Sequence, residues 1–235
     1  NPNYDRLDAA SVKRMTREYL ASVGVADRNL GRVLQQLEKL GLARNTIVVF
    51  TSDNGMNMGH NGIWHKGNGR WILLDRKGDR PNLYDNSLRV PAAIRWPEQI
   101  RPGTTIRETM TNLDWFPTLL ALAGVPLPSN AQLRGHDLTP LLRGRKTAWD
   151  NDLYAEYNMR HGMKADLRAW RTPEWKLVRD LRNPGRDELY HLTRDPAETQ
   201  NLINSTDPAI RAVVDLLSRK LAARESGGGG PRSVR

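Results

Sequence analysis

The sequence has 235 residues, with 36 Lys and Arg against 26 Asp and Glu, a formal net charge of +10. That length holds one large domain or two modest ones, and a hydrophobic content of 38% is enough for a buried core, which excludes a chain disordered by composition. There is no Cys, so disulfide scaffolds, Cys-ligated zinc and a Cys nucleophile are excluded within these residues.

No segment approaches the ~18 apolar residues of a membrane span; the richest, residues 113–125, is interrupted by Pro117. Of the 36 basic residues 28 are Arg, scattered without a run of five, which reads as a solvated surface or a general anion-attracting field. Only 6% of residues are aromatic and no nucleic-acid module is recognisable, which places a nucleic-acid partner last. The sequence begins Asn1-Pro2, without Met or a charged-then-apolar leader. The expectation is a processed product or an excised piece of a longer protein.

Residues 9–42 read as a helix, because Val23, Ala26, Leu30, Val33, Leu34, Leu37 and Leu40 recur at spacings of three and four. Gly41 is the stop. Residues 46–51, Thr-Ile-Val-Val-Phe-Thr, read as a buried strand with both faces apolar. Helix, tight turn and buried strand make half of an α/β repeat. Residues 52–80 read as a long glycine-rich loop at the strand's C-terminal end, where open α/β sheets place ligands.

Residues 89–96 read as another strand, stopped by Pro97. A helix through Leu119 to Ala123 has Asn112 or Asp114 as its cap and Gly124 as its stop. From about Thr147 the texture changes. Residues 153–157, 175–179 and 188–192 alternate as antiparallel strands with one wet face. Residues 207–224 read as an amphipathic helix, and Gly227 onward as a flexible tail.

The chemistry concentrates in Phe50-Thr51-Ser52-Asp53-Asn54-Gly55 and Met58-Gly59-His60-Asn61-Gly62-Ile63-Trp64-His65-Lys66-Gly67. Asp53 and Asn54 offer a carboxylate and an amide oxygen side by side, hard ligands suited to Ca²⁺ or Mg²⁺ rather than Zn²⁺. The same pair also reads as an Asx-turn that ends the strand. Gly55 lets the chain turn sharply. Lys66 is a fixed positive charge for the anionic end of a substrate, or a solvated loop residue. His60 and His65 are candidates to meet a leaving group or oxyanion, or are polar loop side chains.

These motifs fall in one order with others. Gly31-Arg32-Val33-Leu34 precedes them. Tyr84-Asp85-Asn86-Ser87-Leu88-Arg89-Val90-Pro91, Asp114-Trp115-Phe116-Pro117-Thr118, Gly135-His136-Asp137-Leu138 and Glu188-Leu189-Tyr190 with Asp195-Pro196-Ala197-Glu198 follow. In this order the chain resembles the sulfatase family of the alkaline-phosphatase superfamily.

The resemblance implies an α/β fold: the later part of an alkaline-phosphatase-like mixed sheet flanked by helices, plus a small C-terminal antiparallel β subdomain with a terminal helix. Residues 1–146 would be the C-terminal part of the catalytic domain, 147–225 the small subdomain and 226–235 the tail. It implies sulfate-ester hydrolysis, with Asp53 and Asn54 as ligands of Ca²⁺ (Mg²⁺ as the alternative) and Lys66 on the sulfate. The leaving-group His of the family lies upstream of this region, so the resemblance does not assign that role to His60.

The family's formylglycine forms in a C/S-x-P/A-x-R motif. No Ser here is followed by that pattern, so the chain resembles the C-terminal portion of a sulfatase without its nucleophile. The implied partners are a sulfated small molecule or carbohydrate and the missing N-terminal portion. Arg70, Arg76, Lys77, Arg80 and Arg160 are candidates to meet an acidic sugar. The resemblance suggests a periplasmic or secreted location. Two alternatives remain: a phosphodiesterase or phosphonate hydrolase of the same superfamily, against which Asn54 stands, and a non-catalytic anion- or polysaccharide-binding remnant.

Overall fold

The computed structural model describes residues 7–67, 80–129, 132–160, 164–227 and 233–234. Helix α1, Ala9–Lys39, starts on the Asp8 side chain, which accepts from the Ser11 N–H, and ends before Gly41 at φ 69°. The helix is where its periodicity puts it, but none of its residues is buried. Leu30, Leu34 and Leu37 are half-buried, whereas Leu20, Val23 and Val33 are exposed.

Strand β1, Val48–Thr51, pairs antiparallel with β2, Ala92–Arg95, in a two-stranded sheet. The expectation of a strand buried on both faces is not met among the described residues: β1 is half-buried to exposed, with Phe50 43% exposed. Its only strand neighbour among the described residues is β2, which leaves its second edge without a described partner. Inside this unit, Ile100, Leu122, Leu138, Leu141 and Leu142 form a core, with Ile47, Ile94 and Trp96 packed on it.

Helix α2 is a single turn, Asp85–Leu88. Helix α3, Trp115–Leu122, follows a 3-10 turn capped by Thr111 and Asp114 in reciprocal fashion. Asp114 is fully buried and also accepts from the His136 N–H at 2.7 Å. Helix α4, Thr139–Leu142, completes this part.

The second unit is a five-stranded sheet in the order β6-β5-β4-β3-β7. Its strands are β3 Leu153–Met159, β4 Ala165–Arg171, β5 Trp175–Asp180, β6 Glu188–His191 and β7 Ser233–Val234. The sequence reading missed β4, although Ala165, Leu167 and Ala169 alternate as buried residues along it; two of the three are alanines, which carry little strand signal. Strand β7 lies in what reads as a flexible tail, yet it pairs in parallel with Tyr154 and Ala155.

Register puts Tyr154, Trp170, Leu177 and Leu189 in one row. They pack against Leu217 and Leu221 of α5, Pro208–Glu225. The opposite row, Ala155, Ala169 and Val178, packs against Leu83 and Leu88. The chain around α2 therefore lies on the sheet face opposite α5, and that contact positions the loop described next.

Candidate functional site

Beyond β1 the chain does not run as an open loop. Ser52 Oγ donates to the Asn54 carbonyl at 3.1 Å, and the Asn54 N–H donates to Asp53 Oδ1 at 2.9 Å. The Asn54 amide donates through Nδ2 to the Gly55 carbonyl at 2.9 Å. Asn112 holds the Ser52 carbonyl at 3.1 Å, which ties the strand end to the turn before α3. Asp53 is exposed and Asn54 half-buried, and neither belongs to the core.

Gly55 has a different role from the sharp turn its position suggests. Its N–H donates to the Ser87 carbonyl at 3.0 Å, and a Cβ there would sit 2.1 Å from the Asn86 carbonyl oxygen. Glycine is required by the close approach of α2, not by its own dihedrals.

Residues 57–65 then fold back on themselves. The Asn57 N–H donates to the His65 carbonyl at 2.9 Å and the Gly59 N–H to the Ile63 carbonyl at 2.8 Å. Met58, Gly59, Asn61 and Gly62 all have positive φ, so this turn needs glycine and asparagine where the sequence has them. Met58 at φ 49° is the one unsuited side chain, a local strain of the kind found at functional sites. Ile63 and Trp64 are buried and anchor the returning arm.

Lys66 is exposed, and the backbone on both sides of it is held. The His65 carbonyl accepts from the Asn57 N–H and from Asn57 Nδ2 at 2.8 Å, and the Gly67 carbonyl accepts from the Asn82 N–H at 2.8 Å. Ser87 Oγ joins the two asparagines, accepting from Asn57 Nδ2 at 2.7 Å and donating to Asn82 Oδ1 at 2.7 Å. Asn57, Asn82 and Ser87 are all buried.

A buried ionic cluster backs this arrangement. Lys176 on β5 is fully buried and donates to Asp85 Oδ1 at 2.9 Å and to the Leu83 carbonyl at 2.7 Å; it also pairs with Glu198. Arg171 donates to the Asp85 carboxylate as a fork, at 2.8–3.2 Å. Burial alone would raise the Asp85 pKa, but the hydrogen bonds and charges of Arg171 and Lys176 outweigh it and hold the carboxyl well below the usual range. Burial dominates at Glu198 and pushes its carboxyl up, against the pull of Lys176.

The predicted residues are distributed as follows. Asp53, Asn54, His60, His65 and Lys66 share one folded loop. His60 is exposed and its Nδ1–H donates to the Asn57 carbonyl at 2.8 Å, so that ring nitrogen serves the turn. His65 is half-buried. Among the described residues no group of three or more His, Asp or Glu is placed to hold a metal.

Asp53 and Asn54 fit part of a hard-cation shell by donor type, while Ca²⁺ takes about 6–8 oxygens. Arg80 is not a free cation for a sugar. It is buried, because the carboxylates of Asp180 at 3.3 Å and Glu188 and the Arg186 carbonyl at 3.1 Å satisfy its guanidinium in place of water. Arg160 is exposed, and Arg70, Arg76 and Lys77 lie outside the described residues. Sequence reasoning missed Asn57, Asn82, Ser87, Lys176 and Glu198; no local pattern marks them as buried, because most of their partners come from distant chain.

Comparisons with known proteins point to one family. A family model described as Sulfatase matches residues 2–125, and one described as N-sulphoglucosamine sulphohydrolase, C-terminal, matches residues 72–226. The N-acetylglucosamine-6-O-sulfatase of Bacteroides thetaiotaomicron is 34% identical over 201 residues, covering 82% of this chain and 33% of that protein. Human arylsulfatase A is 31% identical over 216 residues, covering 82% of this chain and 40% of that protein.

A protein solved in complex with its substrate D-glucosamine-2-N,6-O-disulfate superposes with a TM-score of 0.77 at 29% identity, covering 92% of this chain and 41% of that one. The phosphonate monoester hydrolase of Agrobacterium radiobacter superposes with a TM-score of 0.73 at 26% identity, covering 91% of this chain and 42% of that one. The chain thus spans between a third and a half of the length of these relatives, with the α/β architecture of the alkaline-phosphatase-like fold. With two family models each matching more than half of its length, the chain belongs to the sulfatase family.

Proposed function

We propose that these 235 residues supply one side of a sulfatase active site, whose formylglycine motif is carried by polypeptide outside them. The observation that carries this reading is the loop from Asp53 to Lys66, which keeps two oxygen donors and one cation on a backbone pinned by Asn57 and Asn82.

Asp53 and Asn54 are the candidate metal ligands, and Ca²⁺ suits their hard oxygens. When bound, the cation supplies fixed positive charge to the sulfate oxygens. Lys66 adds a second fixed charge. A sulfate ester is a monoanion whose leaving oxygen gains charge as the S–O bond breaks, and an ammonium already in place stabilises that charge without reorganising. His60 keeps Nδ1 on the Asn57 carbonyl, which leaves Nε2 as the nitrogen that can accept a proton.

The substrate class that fits best is a sulfated amino sugar. Support comes from the family model for N-sulphoglucosamine sulphohydrolase and from the glucosamine disulfate bound by a structural relative.

The test compares the 235-residue chain with a protein that carries both this chain and a formylglycine motif. Both are assayed on an aryl sulfate, glucosamine-6-O-sulfate, N-sulfoglucosamine and a phosphonate monoester. Turnover of sulfate esters only by the longer protein is expected. Turnover by the short chain alone, or faster turnover of the phosphonate than of every sulfate, would overturn the reading.

A further inference from the structure

Asn61 lies at the tip of the fold-back loop at φ 56°, and its amide reaches across to the C-terminal part of the chain. Nδ2 donates to the Ala197 carbonyl at 2.9 Å and to the Glu198 carbonyl at 3.0 Å. Two carbonyls facing one amide require its NH₂ end there. The opposite end, Oδ1, is buried and has no hydrogen-bond partner among the described residues. An asparagine with one end doubly used and the other unused is placed for donation.

The acceptor side is equally constrained. Glu198 has φ 54°, a left-handed conformation at a non-glycine residue, and is 3% exposed. Its carboxylate pairs with the buried Lys176 and accepts from the Asp85 N–H, which opens α2. Glu198 thus touches both supports of the candidate site: the loop tip through its carbonyl, and α2 through its carboxylate.

We propose that Asn61 and Glu198 are positioning residues for Lys66, and that the C-terminal segment sets the place of the sulfate-binding loop through the Asn61 amide. The inference rests on the sulfatase reading for its consequence in catalysis, but not for the anchor itself. Removing the amide frees the turn between Gly59 and Ile63. Lys66 then loses its fixed approach to the sulfate, while the global fold keeps its Lys176 cluster. Displacement of a binding group by about 1 Å by a change away from the chemistry costs up to about 10²-fold in rate.

Two substitutions separate this from a merely structural role. Asn61→Gly keeps the left-handed backbone and deletes the donor; Asn61→Asp keeps shape and turn tolerance and replaces the donor with a carboxylate facing two carbonyls. Both are made in the longer, formylglycine-bearing protein. Amide hydrogen exchange across residues 57–67, melting temperature, and kcat and KM on an aryl sulfate are measured. Faster exchange at Gly59 and Ile63, a kcat lowered about tenfold or more, and a melting temperature close to the parent's are expected for both.

Parent-like exchange, or faster exchange with unchanged kcat, would overturn the proposal. So would a general loss of protection with a large fall in melting temperature, since Asn61 would then serve the fold as a whole. If the parent protein turns over no sulfate ester, it is the sulfatase reading that fails, and the exchange measurement still decides the anchor.

Discussion

Lys176 Nζ lies 2.9 Å from Asp85 Oδ1 with no solvent exposure of the lysine, across 91 residues of sequence. The pair joins the C-terminal sheet to the one-turn helix that carries Ser87, and Ser87 in turn holds the two asparagines flanking Lys66. Each step is a buried polar contact, so the backbone beside an exposed cation is held by buried groups.

Lys176→Met should be strongly destabilising. It leaves Asp85 with Arg171 alone and Glu198 without its cation, and breaking a buried ion pair from one side costs about 3–5 kcal/mol. Urea unfolding of the parent and the variant measures it. A change below about 1 kcal/mol would mean water reaches the cluster.

Acid sensitivity follows from Asp85. Its folded-state pKa is depressed, so its charged form contributes stability above the usual carboxylate range near pH 4, and this is lost as pH falls further. Glu198, shifted the other way by burial, opposes it: its contribution is present below the usual carboxylate range and is lost as pH rises through its raised pKa. The stability difference between the parent and Asp85→Asn should therefore be large at pH 7 and shrink below pH 4. A difference independent of pH between 7 and 3 would contradict the ionised assignment.

Gly55→Ala should disturb the candidate metal-binding end of β1. The added Cβ would lie 2.1 Å from the Asn86 carbonyl oxygen and 2.8 Å from that of Arg89, both backbone atoms that cannot swing aside. Overpacking of this kind costs about 1–3 kcal/mol. Thermal unfolding should show the loss, together with weaker response to Ca²⁺.

Removing Lys66 tests the proposed chemistry directly. Lys66→Ala in a complete, formylglycine-bearing protein should lower turnover of an aryl sulfate by about 10²–10³, the effect of losing one preorganised group at a developing oxyanion. Arg should restore little, because its planar fork is differently aimed. A loss under about threefold would make Lys66 a surface residue.

Metal binding has its own readout. Ca²⁺ should raise the melting temperature of the complete protein through binding to the folded state alone. Asp53→Ala, which removes the proposed anionic ligand, should abolish the rise at the same Ca²⁺ concentration. An equal rise in the variant would remove Asp53 from the ligand set.

The sequence by itself determined what is local. Apolar residues three and four apart place α1 and α5, and Gly41 stops α1. The order of motifs from Asp53-Asn54 through Lys66 to Asp195-Pro196-Ala197-Glu198 carries the family. Period and capping depend on neighbours within a few residues, which is why they can be read in one dimension.

Only the tertiary structure decided which polar residues are buried and with whom. Arg80 reads as a surface cation and is instead enclosed by Asp180 and Glu188. Lys176 sits in an alternating strand as though it faced water, yet it meets Asp85 and Glu198. Asn61 reads as part of a long glycine-rich loop and bonds 136 residues away. A charge or amide can be buried only where distant chain brings its partner, because an unpaired one costs several kcal/mol. No local pattern records where that partner will come from.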